Sequence, residues 1–122
     1  MIPIKIKTTG AVLLNEEVRS YVDEKVQKLW KFIDQNDTTT LMDVELEALP
    51  KKNGENFRTE LNFSSNGKVL RIEVKGETLH AAIDKAVEDA ARRLKHLKSK
   101  HIDMMRRAGA EVKEFFRKFP GF

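Results

Sequence analysis

Residues 57–76 read FRTELNFSSNGKVLRIEVKG, and their pattern decides the fold. Phe57, Thr59, Leu61 and Phe63 alternate with Arg58, Glu60 and Asn62, and Leu70, Ile72 and Val74 alternate with Arg71, Glu73 and Lys75. A period of two marks strands with one buried and one solvated face. Between the runs stands Asn66-Gly67, both of which tolerate positive φ, so the two strands should close as a tight hairpin.

Upstream, Met42, Val44, Leu46 and Ala48 alternate with Asp43, Glu45 and Glu47, and PKKNGEN (50–56) supplies a turn into the hairpin. At the start of the chain Ile2, Ile4 and Ile6 alternate with Pro3, Lys5 and Lys7; a proline costs little at the beginning of a strand. Between these two strands Asn15 offers an N-cap, with Glu16 and Glu17 in the first helical turn. Val18, Tyr21, Val22, Val26, Leu29 and Ile33 recur at three- and four-residue steps, which predicts an amphipathic helix ending near residues 34–36. Downstream, Gly76 breaks the last strand, and a second helix is expected from Glu77 or Thr78. Its inward stripe is Leu79, Ile83, Ala86, Val87, Ala90, Leu94 and Leu97.

The order β-α-β-β-β-α predicts an α+β domain, a four-stranded sheet with two helices packed on one face. That arrangement is similar to a double-stranded-RNA-binding fold. Ala82, Ala86, Ala90 and Ala91 would allow a close approach of helix to sheet. The domain should span 1–102, leaving 103–122 as a C-terminal extension. Within it Val112, Phe115, Phe116 and Phe119 share one face of a short amphipathic helix.

The chain has 122 residues, 40% hydrophobic and 34% charged, which suits one domain with a modest core. It contains no cysteine, which excludes disulfides and thiolate zinc sites and agrees with a reducing cytosol. No apolar run approaches the roughly 20 residues that span a bilayer, and MIPIKIKTTG lacks the apolar segment of a secretory signal. His80, His96 and His101 have neither ligand nor triad spacing, and there is no P-loop, dinucleotide fingerprint or nucleophile elbow. The row Asp43, Glu45, Glu47 faces one side of a strand at steps of about 7 Å; pairing with Arg58, Arg71 or Lys75 is the cheaper explanation than a metal. No enzyme, cofactor, metal or small-molecule substrate is expected.

Charge is distributed unevenly. Residues 92–122 hold 10 Lys+Arg against 3 Asp+Glu, net +7, while residues 1–91 hold 13 against 16, net −3. An acidic-to-neutral body with a basic last quarter suggests a localised footprint for RNA, DNA or an anionic membrane, the alternative being an ordinary solvated helix face. On a helical wheel for AARRLKHLKSKH (90–101) and the turns before it, Lys85, Arg92, His96 and Ser99 fall within about 60°, flanked by Arg93, Lys95 and Lys100. On the first helix Lys25, Lys28 and Lys31 occupy a 120° arc beside the apolar stripe. Helices lying side by side on the sheet would merge these rows into one basic surface.

The stretch KGETLHAAIDKAVEDAARRLKHLKSKH (75–101), with LNEEVRSYVDEKVQKLWKF (14–32) and RIEVKGE leading into the second helix, resembles the ribosome hibernation-promoting factors. These are also called ribosome-associated inhibitors or ribosomal subunit interface proteins. The likeness covers about residues 2–101. It implies a cytoplasmic protein that binds the small ribosomal subunit, its rRNA and neighbouring ribosomal proteins in the channel for mRNA and tRNA, silencing idle ribosomes. The family's RNA-contacting cations match Lys25, Lys28, Lys31, Arg92 and Lys95. Two positions depart from the family: Asp89 stands where a lysine is common, and His96 replaces another basic residue. Arg93 and Lys98 are candidates to compensate. The length suggests the family's short form, without a separate ribosome-pairing domain.

A competing reading makes the Val112/Phe115/Phe116/Phe119 face a protein-interaction site, for a ribosomal protein, for a second copy of the chain or for the domain's own open sheet face. Membrane contact by that segment, with Lys113, Arg117 and Lys118 beside it, ranks third.

Overall fold

The computed structural model describes residues 1–50 and 55–107, from 101 onward as backbone only. The element order is β1 (Ile4–Thr9), α1 (Glu16–Gln27), a 3₁₀ turn (Trp30–Phe32), β2 (Leu41–Ala48), β3 (Phe57–Ser65), β4 (Lys68–Gly76) and α2 (Leu79–Arg107). The four strands form one sheet in the order β1-β2-β3-β4. β1 runs parallel to β2, with Ile6 opposite Val44, and the other two pairs are antiparallel. The expected α+β architecture is therefore present.

The alternation works as expected. Met42, Val44, Leu46, Leu61, Phe63 and Ile72 point inward and are buried together with Val18, Val22 and Val26 of α1 and Ile83, Ala86, Val87, Ala90 and Leu94 of α2. The β3–β4 register closes Ser65 on Lys68, so Asn66 and Gly67 alone form the turn. Their φ values, 52° and 76°, are both positive, as a two-residue hairpin of this twist requires. The turn expected at 50–56 falls partly on residues 51–54, outside the described residues.

Both helix starts are capped by short polar side chains. Asn15 Oδ1 accepts from the Val18 N–H at 2.9 Å, and Thr78 Oγ1 accepts from the Ala81 N–H at 3.0 Å, each relieving an orphan donor of a first turn. Gly76 lets β4 meet the start of α2: a Cβ there would lie 3.1 Å from the Ala82 nitrogen.

The first helix is shorter than its periodicity predicts. α1 ends at Gln27, and the Leu29, Phe32 and Ile33 N–H groups bond to carbonyls three residues back, on Val26, Leu29 and Trp30. This tighter winding carries Leu29 into the core, and Ile33 follows it in with an extended backbone. The apolar spacing is thus satisfied without α-helix. Gln27 also ties α1 to the residues that lead into β1: its amide accepts from the Ile2 N–H and donates to the Ile2 carbonyl, both at 2.8 Å.

The sheet face opposite the two helices carries its own ion pairs. Arg58 on β3 reaches Glu45 at 2.8 Å, Glu47 at 2.7 Å and Glu60 at 2.6 Å, while Arg71 on β4 reaches Glu60 at 2.8 Å. Two acids of the Asp43/Glu45/Glu47 row therefore have a cationic partner. Glu60, only 8% exposed, is held down at about 2 by the Arg58 and Asn62 hydrogen bonds, against the cost of its burial.

Candidate nucleic-acid interface

The residue types that can meet a polyanion lie on the helical layer. Among the described residues, polar contacts join α2 to α1 and to the 3₁₀ turn that follows it. The Tyr21 hydroxyl donates to Asp84 at 2.6 Å, Lys25 Nζ lies 3.7 Å from the same carboxylate, and Lys98 Nζ donates to the Lys31 carbonyl at 3.2 Å. Partner numbers rise together from α1 through the 3₁₀ turn and along α2, so the two segments run in the same sense. The Tyr21 ring also packs edge-on against His80, with centroids 4.3 Å apart.

These contacts orient α2. At 100° per residue, Asp84, Lys98 and Lys95 lie on the side of α2 toward α1, and Lys85, Arg92 and His96 lie on its outer side. Arg93 and Lys100 lie on the side toward β4. All of these cations are exposed, as are Lys28 and Lys31 on the first helical segment. Lys25 is partly covered, with its ammonium 5.4 Å from the Tyr21 ring centroid. Lys31 stands 5.1 Å from the Phe32 ring centroid. The fold therefore brings Lys25, Lys28 and Lys31 beside Lys95 and Lys98, with Lys85, Arg92 and His96 above them. It separates Arg93 and Lys100 toward the opposite flank.

Three features lay beyond the wheel. Asp89 pairs with Arg92 one turn along α2, so the acidic departure restrains a cation of the face. Lys98, which the wheel leaves off the outer arc, is instead the cation that touches the first helical segment. Its ammonium meets a carbonyl at the end of a helical turn, where the backbone dipole favours positive charge. Asp84 and Tyr21 were legible as a pair only once the helices were known to be neighbours.

This surface can neutralise phosphates along two adjacent rows and offers rigid, helix-borne spacing. Among the described residues no cluster of three or more His, Cys, Asp or Glu is placed to hold a metal ion, and no helix is long and apolar enough to cross a membrane. Val112, Phe115, Phe116 and Phe119 lie outside the described residues.

Comparison with known proteins returns a consistent set. The family model described as "Sigma 54 modulation protein / S30EA ribosomal protein" matches residues 6–102. The ribosome hibernation promotion factor of Deinococcus radiodurans is 30% identical over 95 residues, 75% of this chain and 47% of that protein. The chain thus spans about half the length of that relative. The crystal structure of the Thermus thermophilus Protein Y N-terminal domain matches with a TM-score of 0.66 at 25% identity, covering 78% of this chain and 98% of that one. A ribosomal subunit interface protein from Coxiella burnetii matches with a TM-score of 0.61, over 80% of this chain and 99% of that one. At 12% identity, that likeness is one of fold.

Proposed function

The chain belongs to the ribosome hibernation factor family, and on that premise we propose that it docks on the small ribosomal subunit and holds ribosomes inactive. The proposed seat is the decoding region, where the helical layer would occupy the path of mRNA and tRNA. The function is cytoplasmic, binding rather than catalytic, and requires no cofactor. Residues 1–102 form the ribosome-binding unit, contacting rRNA and neighbouring ribosomal proteins. Lys25, Lys28, Lys31, Lys85, Arg92, Arg93, Lys95, His96, Lys98 and Lys100 supply the rRNA contacts.

One observation carries this reading: Lys98 donates to the Lys31 carbonyl while Tyr21 and Lys25 meet Asp84. These contacts lock two lysine rows into one surface before any ligand arrives. A preorganised cationic face loses little side-chain and backbone freedom on binding.

Sedimentation of the purified protein with small subunits tests the reading. Co-sedimentation is expected at low salt. With about 6 to 10 phosphate contacts, affinity should fall roughly 10³- to 10⁵-fold between 50 and 200 mM salt, by analogy with duplex DNA. Absence of co-sedimentation at low salt contradicts the proposal.

A further inference from the structure

The flank of α2 that faces β4 differs from the lysine rows. There Leu70, partly exposed on the edge strand β4, and Leu97, partly exposed on α2, floor a shallow apolar groove whose rim is Arg92, Arg93 and His96. β4 is an edge of the sheet, so no further strand of the described chain covers this side. Lys100 follows Arg93 by two turns on the same side of the helix.

Apolar floor and cationic rim ask for different parts of a ligand. A duplex presents phosphates and 2′-hydroxyls from a convex surface, and it would meet the outer cations without entering the groove. An aliphatic peptide would suit the leucines but leave the cations unmatched. A splayed-out nucleotide matches both: a flat apolar base for the floor, a phosphate for the rim, and guanidinium or imidazole planes to stack against the base. The arginines also divide the work. Arg92 is paired with Asp89, so of the three rim groups Arg93 and His96 are the ones not held by that carboxylate.

We infer that the groove between α2 and the β4 edge seats one unpaired nucleotide of the bound RNA, its base on Leu70 and Leu97 and its phosphate at Arg93. The inference rests on the rRNA-binding reading above and adds to it a single-strand subsite on the flank of α2.

The test is a methyl-NMR titration of the full chain at low salt with single-stranded hexaadenylate and, separately, a blunt-ended RNA duplex. Hexaadenylate is expected to shift the Leu70 and Leu97 methyl signals. The duplex should perturb amides around Arg92 and Lys95 and leave both leucines unmoved. Leu97→Ala should weaken hexaadenylate binding about fivefold, the effect of losing the packing of one base, and duplex binding much less. The thermal transition of each variant verifies that it is folded. Leucine signals unmoved by hexaadenylate, or moved equally by the duplex, overturn the inference. So does a dependence of those signals on protein concentration without RNA, which would put a second copy in the groove. If small subunits still co-sediment while hexaadenylate leaves the leucines unmoved, the groove assignment alone falls. If both fail, the reading beneath it falls too.

Discussion

The Tyr21 hydroxyl on α1 donates a 2.6 Å hydrogen bond to the Asp84 carboxylate on α2, clamping the two helices that carry the cations. The bond, with burial and the nearby charges of Asp84 and Glu24, pushes the Tyr21 hydroxyl up to about 12 from an ordinary 10.0. The folded value is raised, so the bond's contribution to stability is full below pH 10 and disappears as pH climbs through 12. Tyr21 is the single tyrosine of the chain, so tyrosinate absorbance reports it without interference. A midpoint near 12 is expected in the folded protein. Tyr21→Phe should remove the signal and cost about 1 kcal/mol in urea unfolding. A midpoint near 10 would show that the clamp does not exist in solution.

Asp37, between the first helical segment and β2, fastens the far hairpin. Its carboxylate accepts from Ser65 Oγ at 2.6 Å, Thr39 Oγ1 at 2.7 Å and the Thr39 and Asn66 N–H groups at 2.9 Å. Those bonds, led by Ser65 and Thr39, hold it far below the usual carboxylate range despite its partial burial. A depressed value stabilises the fold above the unfolded value of about 3.8 and loses that contribution as pH falls toward the folded one. Asp37→Ala should therefore lower unfolding free energy by about 1–3 kcal/mol at pH 7. The gap between the two proteins should narrow steadily below pH 4. A gap independent of pH would assign the loss to packing.

Thr59 is wholly buried on β3, and its hydroxyl oxygen has no hydrogen-bond partner among the described residues. Desolvating a hydroxyl without a partner is unfavourable. Thr59→Val keeps the shape and removes the polar atom, so it should raise unfolding free energy by about 1 kcal/mol. A destabilised valine variant would show that the hydroxyl has a bonded partner in solution.

The lysine rows can be tested without disturbing the core. Lys28 and Arg92 are both exposed, and reversing both places two anions on the face. Lys28→Glu combined with Arg92→Glu should reduce small-subunit binding by about two orders of magnitude at low salt. The thermal transition should move by less than about 5 °C. Unchanged binding would mean that another surface docks.

Much of this was legible in the residues because each signal was local. Alternation placed the inward residues of β2, β3 and β4, Asn66-Gly67 set the hairpin, and Asn15 set the start of α1. What escaped depends on neighbours distant in sequence or on equivalent local solutions. Leu29 and Ile33 keep helical spacing, yet a 3₁₀ turn buries them equally well, so periodicity could not end α1 at Gln27. Glu60 reads as solvated, but Arg58 and Arg71 fold over it. Asp37 and Ser65 are 28 residues apart, and no pattern joins them. For the candidate interface, both cation rows were visible, but their division between an α1 side and a β4 side needed the Tyr21–Asp84 and Lys98–Lys31 contacts. Asp89 stood out as a departure, whereas its pairing with Arg92 became visible only with side chains placed.

The most direct measurement is a hydroxyl-radical footprint of rRNA in small subunits saturated with the wild-type protein. Docking of the helical layer in the mRNA and tRNA channel predicts protections clustered at the decoding region, lost when the Lys28→Glu, Arg92→Glu protein replaces wild type. Protections confined to another part of the subunit, or identical with both proteins, would contradict it.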